Sequence, residues 1–302
     1  MNMIAWIQTV LALLLAPLLP GVINRTKAFF AGRQGPPVLQ LYFDLWKLAQ
    51  KGAVYSRTTT WVFRAGPVVG LAAVLAALFL TPFGKSAAPC AFGGDLILFA
   101  YLLGLMRFMT VIAALDTGSS FEGMGASREV FFSMLAEPAF MIGLVAVARA
   151  TGSMSLSGML ANISAETWLK VGPALVLTAA AWMVVLLAEN ARIPVDDPNT
   201  HLELTMIHEV MVLDHGGPDF AAIMYGSALK LWVLGALLVG LLPVHTGLFW
   251  KDGLAFLCGM FLLAVGIGVI ESVMARLRMA RVPQLLIGAM ALAALAMMMV
   301  LK

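Results

Sequence analysis

The chain consists of long apolar runs separated by shorter polar segments. A transmembrane helix needs about 20 mostly apolar residues, and eight runs approach or exceed that length. They lie near 3–23, 67–83, 93–114, 130–150, 171–189, 221–243, 249–274 and 283–301. The pattern predicts an all-α, polytopic integral membrane protein with about eight transmembrane helices, arranged as a single membrane domain over 1–302. The first run has no basic flank or small-residue cleavage site, so it is predicted to be a membrane helix.

Composition agrees with this class, because only 12% of the residues are charged and 61% are hydrophobic. The two cysteines do not form a CxxC motif, so this chain alone is not expected to hold an iron–sulfur cluster. Nucleotide-binding loops and hydrolase motifs are also missing from the sequence.

Lysine and arginine are unevenly distributed between the alternating loops. With the N-terminus outside, the cytoplasmic loops hold twelve of these cations and the outer loops hold four. Cytoplasmic loops normally carry the excess, so the bias predicts an outside N-terminus. The net charge of +3 therefore reflects membrane orientation, and no nucleic-acid partner is expected.

The basic cytoplasmic loop, 24–66, is predicted to contain an amphipathic helix. Pro36 and Pro37 can open a helix. The apolar positions then recur at helical spacing, at Val38, Leu41, Tyr42, Leu45 and Leu48. Such a helix lies at the membrane surface, either against lipid or as a platform for a soluble partner.

Several ionisable residues fall within the predicted spans, mostly in their cytoplasmic halves. They include Arg107, Glu137, Glu189, Lys230 and Glu271. Charges at such positions usually face the bundle interior and often mark ion or proton routes. The alternative is a set of salt bridges that fix helix packing, for example Arg107 with Glu137. Proton handling is favoured for Glu137 and Glu271, and the structural role for Arg107 and Lys230.

The second notable loop, 189–220, is acidic and rich in histidine. It holds seven of the sixteen acids and three of the four histidines. Thr200 and Glu203 fit a capping box that predicts a short helix toward Leu213. Within it, histidines recur every seven residues at His201, His208 and His215. Neighbours would be about 10 Å apart, too far to share a metal ion. A titratable stripe facing solvent or another subunit is the preferred interpretation.

Four sequence blocks carry a resemblance to a known family. They are GRQGPPVLQLYFDLWKL from Gly32, LDTGSSFEGMGASRE from Leu115, the acidic loop, and ESVMARLRMARVP from Glu271. Together they resemble the H-type (subunit 1) membrane subunit of respiratory complex I and its counterparts in membrane-bound nickel–iron hydrogenases. The second block is more similar to the hydrogenase branch, typified by formate hydrogenlyase subunit 4.

The resemblance implies a non-catalytic, cofactor-free subunit in a bacterial or archaeal plasma membrane. Such a subunit joins a hydrophilic arm, which carries the nickel–iron centre and iron–sulfur clusters, to antiporter-like subunits that move protons or sodium. The implied proton or ion path comprises Glu137, Glu189, Asp196, His201, Glu203, Glu209, Lys230 and Glu271. The implied contacts with the hydrophilic arm are Arg33, Asp116, Arg128, Arg192, Arg276 and Arg278.

The acidic loop departs from the family pattern at three positions. Asn199 and His201 stand where relatives usually have acids, and Met211 replaces a later acid. The chain is therefore expected to belong to a divergent branch. Two other hypotheses are considered beside the hydrogenase-type coupling subunit. One is the quinone-chamber subunit of a complex I-like dehydrogenase, with quinone as ligand, and the other is a stand-alone transporter or channel.

Overall fold

A computed structural model describes residues 3–196, 206–243 and 248–301. Eleven α-helices occur in these ranges. They are α1 Met3–Leu15, α2 Leu18–Phe30, α3 Gln40–Ala49, α4 Trp61–Leu80, α5 Asp95–Asp116, α6 Ser120–Thr151, α7 Leu156–Ala161, α8 Ala165–Glu189, α9 Gly217–Gly240, α10 Phe249–Val273 and α11 Val282–Val300. Two 3₁₀ turns cover Glu209–Val212 and Met279–Arg281.

The prediction of about eight membrane spans is confirmed. Within the described ranges, seven helical segments are long and apolar enough to cross a membrane, namely those of α4, α5, α6, α8, α9, α10 and α11. Helices α1 and α2, which meet at a bend of 43°, bring the number to eight when the pair is counted as one span.

The bend in the first span follows from Pro17. Proline has no N–H to donate, so the carbonyl of Leu13 loses its usual helical partner. The Tyr225 hydroxyl of α9 donates to that carbonyl at 3.0 Å, and the Tyr42 hydroxyl of α3 donates to the neighbouring carbonyl of Leu14. Two tyrosines therefore attach α9 and α3 to the bend.

The spans pack side by side, and small residues set their separations. Helix α4 packs against α5 and α9, α6 packs against α8 and α11, and α2 packs against α10. A Cβ at Gly143 of α6 would lie 2.2 Å from the indole nitrogen of Trp182 on α8. Such close approach of helices is typical of membrane bundles.

The connections form two opposite faces. One, here called the loop face, comprises 31–60, 117–119, 190–196, 206–216 and 274–281. Its segments contact one another, as when Leu277 N–H donates to the carbonyl of Pro194 at 2.9 Å. The opposite face comprises 81–94, 152–164 and 241–243, where Lys85 donates to the carbonyl of Leu160 at 2.6 Å. The predicted orientation assigns the loop face to the cytoplasm.

Helix α3 lies on the loop face, within the segment where an amphipathic helix was predicted. It begins at Gln40, after the two prolines, and packs against α9. The predicted apolar positions are half-buried in this contact. A second apolar face is open, because Phe43 and Trp46 are 58% and 71% exposed.

The acidic loop differs from its prediction. In its described part, the expected α-helix toward Leu213 is wrong, since the chain forms only the 3₁₀ turn Glu209–Val212. This segment lies flat beneath α5 and α6, where Val210 and Met211 pack against Val111 and Ala126. Burial against two helices selects this shape over local helix propensity. The predicted capping box of Thr200 and Glu203 lies outside the described residues. Gly216 is the N-cap residue of α9, and Gly217 is the first residue of that helix.

Gly125 of α6 makes the close contact with this loop. A Cβ there would lie 2.3 Å from Cγ1 of Val210 and 2.9 Å from the carbonyl oxygen of Ile207. We expect Gly125→Ala to lower the free energy of unfolding by about 1–3 kcal/mol, as overpacking commonly does. Thermal unfolding of the purified protein measures the change.

Gly123→Ala is the matched control, because a Cβ at Gly123 meets nothing within 4 Å and the residue lies in the same helix. We expect it to leave stability unchanged or to raise it slightly through helix propensity. Equal melting temperatures for the two variants would show that the loop does not pack on α6 as described.

Candidate functional site

A buried arginine in α5 brings together carboxylates from two other helices. The Arg107 side chain is 9% exposed. Its guanidinium lies 2.5 Å from Oε1 of Glu189 at the end of α8 and 3.4 Å from Oε1 of Glu129 on α6. It also pairs with Glu137, two turns further along α6. A buried charge requires such partners, so Arg107 fixes α5, α6 and α8 relative to one another.

Glu189 has a second cation on its other side. The Lys230 ammonium of α9 lies 2.7 Å from Oε2 of Glu189. It also donates to the backbone carbonyl of Glu189, again at 2.7 Å. That carbonyl lies at the C-terminal end of α8, where a positive charge is stabilising. Four spans, α5, α6, α8 and α9, therefore meet at this cluster.

A cavity of about 150 Å³ opens beside the cluster. Arg107, Glu137 and Glu189 line its polar side, and Leu103 and Val185 belong to its apolar lining. The Glu137 side chain is 55% exposed, whereas that of Glu189 is 8% exposed. The cavity therefore joins an accessible carboxylate to a buried one. It is large enough to hold several water molecules.

His208 extends the cluster toward the loop face. Its Nε2 lies 3.2 Å from Oε2 of Glu129, and its Nδ1 lies 3.5 Å from Oδ2 of Asp196. Burial alone would lower the pKa of His208, and nearby Lys230 acts in the same direction. The carboxylates of Glu129 and Asp196 outweigh both effects and raise the pKa above its ordinary value.

Asp196 is the next carboxylate beyond His208, toward the loop face. It is buried and accepts the backbone N–H groups of Ile207 and His208 at 3.2 and 3.1 Å. The Arg276 guanidinium lies 2.9 Å from its other oxygen. Burial would raise the pKa of Asp196, but His208 and Arg276 outweigh it and hold the pKa below its ordinary value. Asp196 thus connects the loop after α8 with the segment after α10.

Glu271 lies in a second polar group. Its side chain is 0% exposed, and Lys27 lies 2.8 Å from Oε2. The Arg192 guanidinium lies 3.5 Å from Oε1. Two cations, from α2 and the acidic loop, thus face one buried carboxylate near the loop face.

The structure divides the predicted arm contacts into two sets. Four of them bond within the chain. Asp116 accepts from Thr60 N–H at 2.7 Å at the start of α4, and Arg128 donates to the carbonyl of Met206 at 3.0 Å. Arg192 is buried against Glu271, and Arg276 is half-buried against Asp196. The other two, Arg33 and Arg278, are exposed.

The predicted path residues are also divided. Glu137, Glu189 and Lys230 meet at the Arg107 cluster, and Asp196 joins it through His208. Glu271 belongs to the second group, and Glu209 begins the 3₁₀ turn in a half-buried position. His201 and Glu203 lie outside the described residues.

The prediction of a histidine stripe that faces solvent or another subunit is wrong for its two described members, His208 and His215. His208 points inward between two carboxylates and is 24% exposed. His215 is buried and stacks on Phe63, with ring centroids 3.9 Å apart. Their different environments follow from the loss of the helix that would have placed them on one face.

Arg107, Glu129 and His208 are the site residues that the predicted path omits. Arg107 pairs with Glu137, as the structural alternative expected. Glu129 is the last residue of the second family-like block. Its only signal in the sequence is its position, two helical turns before Glu137 on the same helix. The position of His208 depends on the loop conformation, which the sequence did not reveal.

Comparisons with known proteins agree with the motif-based resemblance. The family described as NADH dehydrogenase matches residues 2–302. Formate hydrogenlyase subunit 4 of Escherichia coli (strain K12) is 31% identical over 293 residues, covering 92% of each chain. Hydrogenase-4 component C of the same organism is 33% identical over 234 residues, covering 78% of this chain and 73% of that protein.

More distant relatives extend the comparison. The H-type subunit of the NADH-quinone oxidoreductase of Anaplasma phagocytophilum (strain HZ) is 25% identical over 271 residues, covering 80% of this chain and 77% of that protein. A chain of the membrane-bound sulfane sulfur reductase, an archaeal respiratory membrane complex, shares the fold, with a TM-score of 0.82, 20% identity and 98% coverage of both chains. The protein therefore belongs to the NADH dehydrogenase family of membrane subunits and is similar to the subunits of formate hydrogenlyase and hydrogenase-4.

Proposed function

We propose that this protein is the membrane-anchor and coupling subunit of a hydrogenase-type, formate hydrogenlyase-like redox complex. In this role it links a hydrophilic electron-transfer arm to antiporter-like subunits that move protons or sodium. Its similarity to formate hydrogenlyase subunit 4 supports the type of complex. The nickel–iron centre and iron–sulfur clusters belong to partner subunits in this proposal.

The observation that carries the proposal is an unbroken series of ion pairs between a membrane carboxylate and the loop face. Glu137 contacts Arg107, which also contacts Glu129. His208 then joins Glu129 to Asp196. Each member shares a partner with the next, so a change of charge at one end alters the electrostatic energy at the other.

The position of His208 gives it a particular role. Its ring lies between two carboxylates of the series, those of Glu129 and Asp196, and their charges raise the pKa of His208. Uptake or release of one proton at His208 therefore compensates a change of charge elsewhere in the series.

The two ends of the series suit the two proposed partners. Glu137 and its cavity lie within the span α6, where an antiporter-like subunit would pack against the bundle. The loop face carries Arg33 in an exposed position, where a soluble arm would bind. With the N-terminus outside, this face lies in the cytoplasm.

The quinone-chamber alternative rests on the relationship to the H-type subunit of NADH-quinone oxidoreductase. A quinone analogue that inhibits the redox activity of the intact complex would support it. Resistance of that activity to the analogue would favour the hydrogenase-type role.

Replacing Glu137 by Gln is the direct functional test. We expect the complex to assemble and its redox turnover to persist, while ion movement per electron falls by at least about tenfold, because the accessible end of the series loses its charge. Redox activity and ion movement are measured together in proteoliposomes.

Glu166→Gln is the matched control. Glu166 lies in α8, near the opposite face, and pairs only weakly with Lys170 because both side chains are more than two-thirds exposed. Ion movement by the complex that carries Glu166→Gln should equal that of the wild type. Normal ion movement in the Glu137 variant would refute the proposed route.

The pH dependence of stability tests the role of His208. Because its pKa is raised in the folded state, its charge stabilises the fold fully below its ordinary pKa, and this contribution is lost as the pH rises through the raised value. We expect the melting temperature of the wild type to fall over that range and that of His208→Gln to fall less. Parallel curves for the two proteins would show that His208 is not protonated between Glu129 and Asp196.

A further inference from the structure

An open groove lies between α6 and the beginning of α11, apart from the Arg107 cluster. Its volume is about 300 Å³. Phe131 and Phe132 of α6 form one wall, and Met279 and Pro283 form the other. Ala280 lies between them with its small side chain exposed. The groove is thus an apolar slot at the level where these two spans reach the loop face.

Arginines border this apolar slot. Arg128 lines it and donates to the carbonyl of Met206, and Arg278 and Arg281 flank Met279 and Ala280 in the chain. The side chains of Arg278 and Arg281 are exposed. The neighbouring acid, Glu129, directs its carboxylate inward to Arg107 and His208. Two exposed arginines, Arg278 and Arg281, therefore adjoin the groove, and Glu129 is turned away from it.

The groove is continuous with the membrane-facing parts of the two helices. On α6, Phe131 and Met134 are 48% and 61% exposed, and on α11, Ile287 is 48% exposed. These residues lie further into the spans than the arginines. A ligand with a negatively charged end and an apolar tail would match this order of charge and hydrophobicity.

We propose that the groove binds an anionic phospholipid. Arg278 and Arg281 hold the headgroup phosphate through charge-assisted hydrogen bonds, and one acyl chain lies along Phe131 and Pro283. Basic pockets between transmembrane helices at the membrane boundary suit anionic headgroups. The arrangement of charged residues at the loop face and apolar residues further into the spans favours a lipid over a soluble protein as the ligand of the groove. The inference gives Arg278 a lipid contact in place of the arm contact expected for it, and it does not otherwise depend on the proposed coupling role.

The test measures lipid binding to the purified complex by native mass spectrometry. The complex is delipidated, and phosphatidylglycerol or phosphatidylcholine is added at equal concentration. We expect phosphatidylglycerol to bind about tenfold more tightly than phosphatidylcholine. In the double variant Arg278→Gln/Arg281→Gln, its affinity should fall on the order of tenfold, since each surface arginine contributes to anionic lipid binding.

Two further variants separate the groove from general surface charge. Ala280→Trp fills the slot without changing charge, and it should also weaken phosphatidylglycerol binding. The double variant Arg25→Gln/Arg57→Gln removes two exposed arginines from the same side of the protein, away from the groove, and should bind as the wild type does. Equal losses in the two arginine variants, or normal binding by Ala280→Trp, would overturn the proposal. If the Ala280→Trp complex lost a partner subunit while its phosphatidylglycerol binding stayed unchanged, the groove would instead be a protein interface.

Discussion

The polar interior of this protein depends on the need to neutralise Arg107. A guanidinium buried among membrane helices loses its hydration, and only well-placed carboxylates compensate for that loss. Glu129, Glu137 and Glu189 provide this compensation from α6 and α8. The arginine thereby determines how three spans are placed, and its carboxylates then need further partners of their own.

Those further partners connect the membrane to the loop face. Glu189 pairs with Lys230, and Glu129 pairs with His208. His208 in turn contacts Asp196. A protonated His208 places a positive charge between Glu129 and Asp196. A site built this way responds to charge as a unit, which is the property that the proposed coupling role requires.

The sequence predicted the parts of this arrangement that depend on local pattern. Hydrophobic runs located the spans, helical spacing located α3, and charges within apolar runs drew attention to Arg107, Glu137 and Lys230. The contacts of His208 and Glu129 could not be predicted in this way. They join residues far apart in the chain, and they depend on the loop lying flat beneath α5 and α6. Burial of Val210 and Met211 decides that conformation, and the helical spacing of the histidines gave the opposite expectation.

The central claim is that Glu137 and the acidic loop are electrostatically connected through Arg107. Hydrogen exchange of the Ile207 and His208 amides, which donate to Asp196, measures this connection directly. In Glu137→Gln the cluster has one carboxylate fewer, so His208 should lose its proton more readily and these amides should exchange faster at neutral pH. The same exchange rates in this variant, in Glu166→Gln and in the wild type would contradict the account.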